Sequence, residues 1–238
     1  MREEKRFIIA FDKIKDKRFD PYSNQPAFDW IDEALTKSKH KVKLLKDIVE
    51  YLDYGLMPTQ DYAIDSSAGL PMIRVTNITP EGDIDMTDTK YIKFDTPRLK
   101  EKLVKENDIL LVQCGNTTGK VGIITKEYEG YTFGSFMFCI RAKKDIVDPY
   151  YLYLVLGSQL VQQQIWQNIN ISTVRPNTCK PVTEGLKIPI PPLPVQQEIV
   201  KEVKCLREKA KKLKEEAKET LATAQEKVER IILGESVN

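Results

Sequence analysis

Apolar and polar positions recur at regular spacings along most of the chain, and these spacings predict its elements. Residues 72–78 alternate apolar and polar side chains between a glycine and flanking prolines, which is typical of a strand. Similar patterns predict further strands over residues 7–11, 108–113, 121–125 and 131–141. Apolar residues at helical spacing predict helices over residues 27–38 and 149–167, the second with a proline in its first turn.

The C-terminal part has a different pattern. Residues 188–194 contain four prolines, which block a helix interior and predict a stiff, extended bridge. Residues 195–233 contain neither proline nor glycine, and their apolar side chains recur mostly at alternating spacings of four and three, as in a coiled coil. This apolar seam consists of Ile199, Val203, Leu206, Ala210, Leu213, Ala217, Leu221, Ala224, Val228 and Ile231.

The length of this helix favours a partner. About 38 residues form a rod of roughly 55 Å, which is longer than a domain of this size needs for its own core. A narrow apolar stripe over that length predicts pairing with a second helix, and we expect the isolated chain to be a homodimer through residues 195–233. The alternative is a helix that packs back on its own domain.

The predicted fold class is α+β: a β-rich globular domain with mixed or antiparallel strands, followed by one long C-terminal coiled-coil helix. We expect three segments, namely a lead-in with a short helix (1–43), the globular domain (44–190), and the proline-rich bridge with the long helix (191–238).

Composition narrows the class of protein. With 238 residues, 41% hydrophobic and 30% charged, the chain has an ordinary globular composition. It has no apolar stretch of membrane-spanning length and no signal-peptide core, so we expect a cytoplasmic protein. Scattered cysteines and a single histidine, His40, predict free thiols and no zinc site. The net charge of +2 means that any binding of DNA must rest on local patches or on a partner's charge.

No familiar catalytic constellation is present. Residues 114–120 superficially resemble a phosphate-binding loop, but Cys114 stands where the first glycine belongs and Val121 where a metal-binding hydroxyl belongs. A dinucleotide-binding glycine motif and a nucleophile elbow are both missing from the sequence. The simplest interpretation is a binding protein without catalytic or metal-binding residues of its own.

Three segments in order carry a resemblance to a known family: residues 69–78 (GLPMIRVTNI), 106–123 (ENDILLVQCGNTTGKVGI) and 186–200 (LKIPIPPLPVQQEIV), the last running into the long helix. The chain resembles the target-recognition domain and spacer helix of the specificity subunits of Type I restriction–modification systems, over roughly residues 42–235. Typical members carry two such domains and two spacer helices, so this chain is similar to half of one. A split system or a piece of a longer chain has the same appearance.

The resemblance implies a mechanism. The domain would dock in the major groove of double-stranded DNA and recognise half of a bipartite target, while paired helices set the distance between the half-sites. An identical pair would recognise a palindromic site. Catalysis would belong to partner subunits: an adenine methyltransferase that uses S-adenosylmethionine, and a restriction/translocase subunit that uses ATP and Mg²⁺. The chain itself would need no cofactor.

Candidate DNA-binding residues are the polar side chains able to contact base edges. They are Arg74, Asn77, Gln113, Asn116, Thr117, Thr118, Lys120, Asn170, Ser172, Thr173, Arg175 and Asn177. Ordinary turn chemistry and solvent exposure are the alternative explanations. We expect Arg175→Ala or Lys120→Ala to weaken DNA binding without unfolding the chain.

Other side chains have more ordinary interpretations. Aromatic residues at strand spacing in 131–138 are expected mostly in the core. Arg98, Lys100, Lys102 and Lys105 are possible phosphate contacts, although a solvated helix face is the more ordinary role.

Three other functions stay open. The chain is compatible with the specificity half of a system in which methylation and cleavage share one partner chain, with a coiled-coil scaffold that has no DNA role, and with a stand-alone enzyme. Neutral charge favours the scaffold, the polar glycine-bounded loops oppose it, and the missing constellations oppose the enzyme.

Overall fold

The computed structural model describes residues 9, 20, 22–57, 62–169 and 175–234. The strand predicted over residues 7–11 lies outside the described residues, apart from residue 9. The chain divides into two compact units, Met1–Leu193 and Pro194–Asn238. None of the helices in these ranges is both long and apolar enough to cross a membrane.

The first unit is built from short helices and strands. Its helices are α1 (Asp29–Thr36), α2 (Leu45–Ile48), α3 (Pro149–Leu156), α4 (Gln159–Asn168) and α5 (Lys180–Glu184). Its strands are β1 (Lys41–Leu44), β2 (Val49–Tyr54), β3 (Gly69–Ile73), β4 (Lys90–Lys93), β5 (Ile109–Val112), β6 (Val121–Ile123), β7 (Thr132–Phe133), β8 (Met137–Ala142) and β9 (Lys187–Ile190). The predicted α+β class is confirmed, and the single predicted helix over 149–167 is divided into α3 and α4 at Gly157 and Ser158.

The strands form three small sheets. An antiparallel sheet has the order β2-β8-β5-β6, a second sheet has the order β4-β3-β7 with β3 and β7 parallel, and β1 pairs with β9. The pairing of β1 with β9 joins Lys41 to Ile190 and so connects residues almost 150 positions apart in the chain. Residues 188–190, predicted as the start of a stiff, extended bridge, are extended and belong to β9, which pairs with β1.

The core centres on β5 and β8. All four residues of β5 are buried, which its unbroken apolar run Ile-Leu-Leu-Val predicts for a strand covered on both faces. Five of the six residues of β8 are buried as well. Phe133 and Phe138 are fully buried among these strands, as expected from their spacing.

A buried ion pair lies at the start of β5. The side chain of Asp108 is fully buried and accepts two hydrogen bonds from Arg141, at 2.7 Å from Nε and 2.6 Å from Nη2. Asp108 also accepts from the Lys105 amide (2.8 Å) and lies 3.3 Å from the Cys139 thiol. Burial and the neighbouring Asp108 charge raise the pKa of the Cys139 thiol well above its usual value.

The strand predicted over residues 72–78 ends early. β3 stops at Ile73, and Val75–Asn77 form a 3-10 turn. The cause is the Asn77 side chain, whose Oδ1 accepts a hydrogen bond from the Arg74 amide at 2.9 Å and closes a local turn. The alternation of apolar and polar residues over 72–78 does not predict this competing hydrogen bond.

The second unit is dominated by α6 (Leu193–Ile232), a helix of 40 residues. It begins two residues before the predicted start, because Pro194 lies in the first turn, where proline removes no helical hydrogen bond. Every residue from 204 to 234 is exposed. Among the seam residues, Leu206, Leu213 and Leu221 are 55%, 65% and 66% exposed.

Candidate nucleic-acid interface

The loop between β5 and β6 (residues 113–120) presents polar side chains at its tip. The strands close behind it through hydrogen bonds from the Gly119 amide to the Val112 carbonyl and from the Val112 amide to the Lys120 carbonyl, both 2.8 Å. Asn116 and Thr117 are exposed at the tip. The loop is therefore closed by backbone hydrogen bonds, and the side chains at its tip, an amide and a hydroxyl, are accessible to solvent.

The backbone favours glycine at two positions of this loop, Gly115 (φ +104°) and Gly119. Gly119 has φ +95°, in the left-handed region, and an added Cβ would lie 2.4 Å from the Gln162 side-chain oxygen. Gln162 in turn donates to the Gly119 carbonyl at 2.7 Å. The loop is therefore clamped to α4 at its C-terminal end.

Residues 175–178 pack directly against this loop. The Gly115 amide donates to the Pro176 carbonyl (3.0 Å), and the Thr178 amide donates to the Gln113 carbonyl (2.9 Å). The buried Thr118 hydroxyl lies 2.7 Å from the Gly115 carbonyl and 3.1 Å from that of Pro176. The two polar clusters found in the sequence thus form one surface, the paired-loop surface of residues 113–118 and 175–178.

Members of the paired-loop surface differ in their exposure to solvent. Asn116, Thr117 and Arg175 are exposed, whereas Gln113 and Asn177 are half-buried. The side-chain amide of Gln113 donates to the Ser135 carbonyl at 3.1 Å, and the side-chain amide of Asn177 donates to the Arg175 carbonyl at 3.3 Å. Asn170, Ser172 and Thr173 lie outside the described residues.

Three other candidates make hydrogen bonds that hold the fold. The Lys120 ammonium group donates to the Ile78 carbonyl. The buried Asn77 amide donates to the Asp85 carbonyl at 2.8 Å. Arg74 Nη2 donates to the Asp88 carbonyl (2.6 Å) and carboxylate (2.7 Å), which holds the pKa of that carboxyl below its usual value. These contacts favour structural roles for all three.

Two of the four possible phosphate contacts at residues 98–105, Arg98 and Lys102, form ion pairs, while Lys100 and Lys105 are exposed. Lys102 is buried and forms an ion pair with Asp53, which corrects the expectation of a solvated helix face. Burial opposes ionisation of Asp53, but hydrogen bonds from Lys102 and from the Tyr54 amide lower the pKa of its carboxyl below the usual value. Arg98 pairs with Glu101 at 2.8 Å on the surface.

An apolar cleft adjoins Gln113, and the sequence did not indicate it. The cleft has a volume of about 400 Å³, and its lining includes Met57, Tyr62, Arg74 and Phe136. Phe136 is 46% exposed, so the expectation of a core position is wrong for this aromatic. It lies in the turn between β7 and β8, and the preceding Gly-Ser pair is the turn signal that could have located it there.

The surface offers chemistry for binding. Side-chain amides, hydroxyls and a guanidinium are the groups that contact base edges and phosphates of DNA. Within the described ranges, no three His, Cys, Asp or Glu side chains form a group able to hold a metal ion.

The comparisons with known proteins identify the family. The family model for the Type I restriction modification DNA specificity domain matches residues 37–222. MjaX, a type I restriction enzyme specificity subunit of Methanocaldococcus jannaschii, is 29% identical over 165 residues, which cover 68% of this chain and 38% of that protein. The chain therefore spans well under half the length of this relative.

Solved structures support the fold alone. The HsdS subunit from Thermoanaerobacter tengcongensis matches with a TM-score of 0.57 and 18% identity over 80% of this chain and 46% of that one. The type IIG restriction endonuclease BpuSI matches with a TM-score of 0.54 and 10% identity over 76% of this chain and 28% of that one. Because the family model covers most of its length, the chain belongs to the Type I restriction modification DNA specificity domain family.

Proposed function

We propose that the chain is the sequence-specific DNA-recognition component of a Type I restriction–modification complex, and that its first unit recognises half of a bipartite site. The paired-loop surface carries this proposal, since it brings Asn116, Thr117 and Arg175 together on a scaffold fixed by backbone hydrogen bonds. Membership of the DNA specificity domain family supports a role in DNA recognition.

The chemistry of modification and cleavage belongs to partners in this proposal. A methyltransferase subunit that uses S-adenosylmethionine and a restriction/translocase subunit that uses ATP and Mg²⁺ bind the chain on DNA in the cytoplasm. These partners also supply cationic surface along the DNA backbone. A net charge of only +2 on the recognition chain is compatible with such sharing.

A homodimer through α6 completes the proposal. Two identical chains supply two recognition units, and their two-fold symmetry predicts a palindromic bipartite target. The apolar seam is exposed along residues 204–234, and this exposure supports the presence of a partner helix that covers it in the dimer. Light scattering at micromolar concentration is expected to give the mass of a dimer, and a monomer mass would remove this part of the proposal.

A second function deserves a test because of the fold shared with BpuSI. In this alternative the chain is the specificity half of a system that keeps methylation and cleavage in one partner chain. Identification of the co-purifying partner separates the two cases: separate methyltransferase and translocase subunits support the first, and a single fused chain supports the second.

The decisive experiment combines methylation mapping with loop variants. Cells that carry the partner subunits are expected to show adenine methylation at one bipartite motif only when this chain is present. Asn116→Ala/Thr117→Ala and Arg175→Ala should weaken binding of that motif by about 1–3 kcal/mol per lost base contact, or roughly 5- to 150-fold.

Thr36→Ala, at an exposed threonine on α1, is the matched control and should leave affinity unchanged. Lys120 is not used as a target, because its ammonium group donates to the Ile78 carbonyl. Wild-type affinity in both loop variants would remove the site assignment. A complex with no sequence preference would instead support the scaffold alternative.

A further inference from the structure

One edge of the four-stranded sheet carries both the paired-loop surface and the turn before β8. Val112, the last residue of β5, lies opposite Met137, the first residue of β8. Tyr54, the last residue of β2, lies opposite Phe138. Because β2 and β5 both run antiparallel to β8, these two strands end where β8 begins. The turn of residues 134–136 therefore lies at this edge, beside the loop that follows β5.

Hydrogen bonds fix this turn against Gln113 of the paired-loop surface. The backbone amide of Gln113 donates to the Phe136 carbonyl at 2.9 Å, and its side-chain amide donates to the Ser135 carbonyl at 3.1 Å. On the other side, the Gly134 amide donates to the Ile73 carbonyl at 3.0 Å. Every residue of the turn is thus bonded to a neighbouring segment, so the backbone of Phe136 has a fixed place next to the paired-loop surface.

The Phe136 side chain gives this edge an apolar surface. It is 46% exposed and lines the apolar cleft together with Met57 and Tyr62, which are 60% and 41% exposed. Folding leaves these three side chains partly in water. A cluster of exposed apolar side chains is typical of a binding surface.

The cleft favours an uncharged ligand group. Among the described residues its lining contains one charged side chain, Arg74, whose Nη2 lies 2.7 Å from the Asp88 carboxylate. A phosphate would compete with this carboxylate for the guanidinium. The edges of base pairs in the major groove present one apolar group, the 5-methyl of thymine, next to the donors and acceptors that suit Asn116, Thr117 and Arg175.

We propose that Phe136 recognises a thymine through its 5-methyl group, at a base pair next to those contacted by the paired-loop surface. This inference rests on the DNA-recognition role of the proposed function and adds one specificity-determining residue and the base that it selects. The ring removes the methyl group from water, whereas cytosine would place a polar amino group against it. The half-site therefore contains at least one A·T pair.

Removal of single methyl groups from the DNA tests this contact. The assay uses the complete complex with its partner subunits, and duplexes with the motif found by methylation mapping in which each thymine is replaced in turn by uracil. Uracil keeps the pairing groups of thymine and lacks only the methyl. At one thymine of each half-site, the replacement should raise the dissociation constant of the wild-type complex about fourfold, the effect of one buried group of this size.

Variants of Phe136 assign the effect to this side chain. In Phe136→Ala the ratio of the dissociation constants for the uracil and thymine duplexes should fall to about one, because the methyl then has no partner. Phe136→Leu keeps an apolar side chain and should retain part of the ratio. The scan of the wild-type complex needs no variant, so it tests the proposal even if Phe136→Ala fails to fold.

Phe94→Ala is the matched control. Phe94 is 58% exposed and follows Lys93, which pairs with Gly69 at the end of β3 opposite to Ile73 and the turn. This variant removes an exposed phenylalanine at a distance from the proposed contact. It should keep the fourfold ratio of the wild-type complex.

Each other outcome overturns the proposal. A ratio of about four in Phe136→Ala, a wild-type complex indifferent to every thymine, or a half-site without an A·T pair would show that this ring does not recognise thymine. Loss of a partner subunit from the Phe136→Ala complex in the absence of DNA would assign the cleft to a protein contact instead. In all of these cases the wild-type complex still binds its motif, so the proposed function stands. A complex without sequence preference would remove the proposed function, and this inference with it.

Discussion

The apolar residues of β5 and of α6 occur in equally regular patterns but lie in opposite environments. Ile109, Leu110 and Leu111 are fully buried, whereas Leu213 and Leu221 on α6 are about two-thirds exposed. The difference shows that the first unit buries its regularly spaced apolar side chains within one chain, whereas those of α6 stay exposed to solvent. The first region is therefore expected to owe its stability to its own core, and the second to another helix.

Removing Asp108 tests the self-sufficiency of the first unit and should have the largest effect. Asp108→Asn leaves the partly buried Arg141 guanidinium without its counter-charge, so the free energy of unfolding should fall by about 3–5 kcal/mol. Urea denaturation followed by tryptophan fluorescence measures this change. Glu101→Gln, at the exposed Arg98–Glu101 pair, is the matched control and should cost less than about 1 kcal/mol. Equal effects of the two variants would contradict the distinction between buried and exposed pairs.

Truncation of a seam leucine tests the dependence of α6 on a partner. Leu221→Ala should raise the dissociation constant of the dimer by at least about tenfold, because Leu→Ala at a packed position costs about 2–5 kcal/mol. Unfolding of the first unit should be unchanged. Sedimentation equilibrium measures the first quantity, and Thr223→Ala, outside the seam, is the control. A loss of first-unit stability in Leu221→Ala would contradict the separation of the two regions.

Thiol reactivity gives the smallest but most direct contrast between the regions. Cys205 on α6 and Cys179 are exposed, so at neutral pH they should react quickly with a disulfide reagent. Cys139 is buried with a raised pKa, stays protonated, and should react only after denaturation. Cys139→Ser should remove the slow class. A native protein in which Cys139 reacts as fast as Cys205 would show that the core around β8 opens readily.

The candidate site was only partly predictable from sequence. Polar residues flanked by glycine in 113–120 pointed to a binding loop, and in the structure Asn116 and Thr117 are exposed. The same residue-type criterion also selected Asn77 and Lys120, whose polar groups bond to the backbone of other segments. Whether an amide faces solvent or a distant carbonyl depends on which segment folds beside it, and local pattern contains no such information.

Sequence alone determined the elements whose causes are local: the buried run of β5, the amphipathic spacing of α1, and the long helix α6 with its seam, because side-chain periodicity and proline position act within a few residues. Tertiary structure decided the pairing of β1 with β9, the Asp108–Arg141 ion pair, the exposure of Phe136, and the contact between residues 113–118 and 175–178. The strand pairing, the ion pair and the loop contact join segments separated by tens of residues. Their stability comes from burial and hydrogen bonds that exist only once the chain has folded.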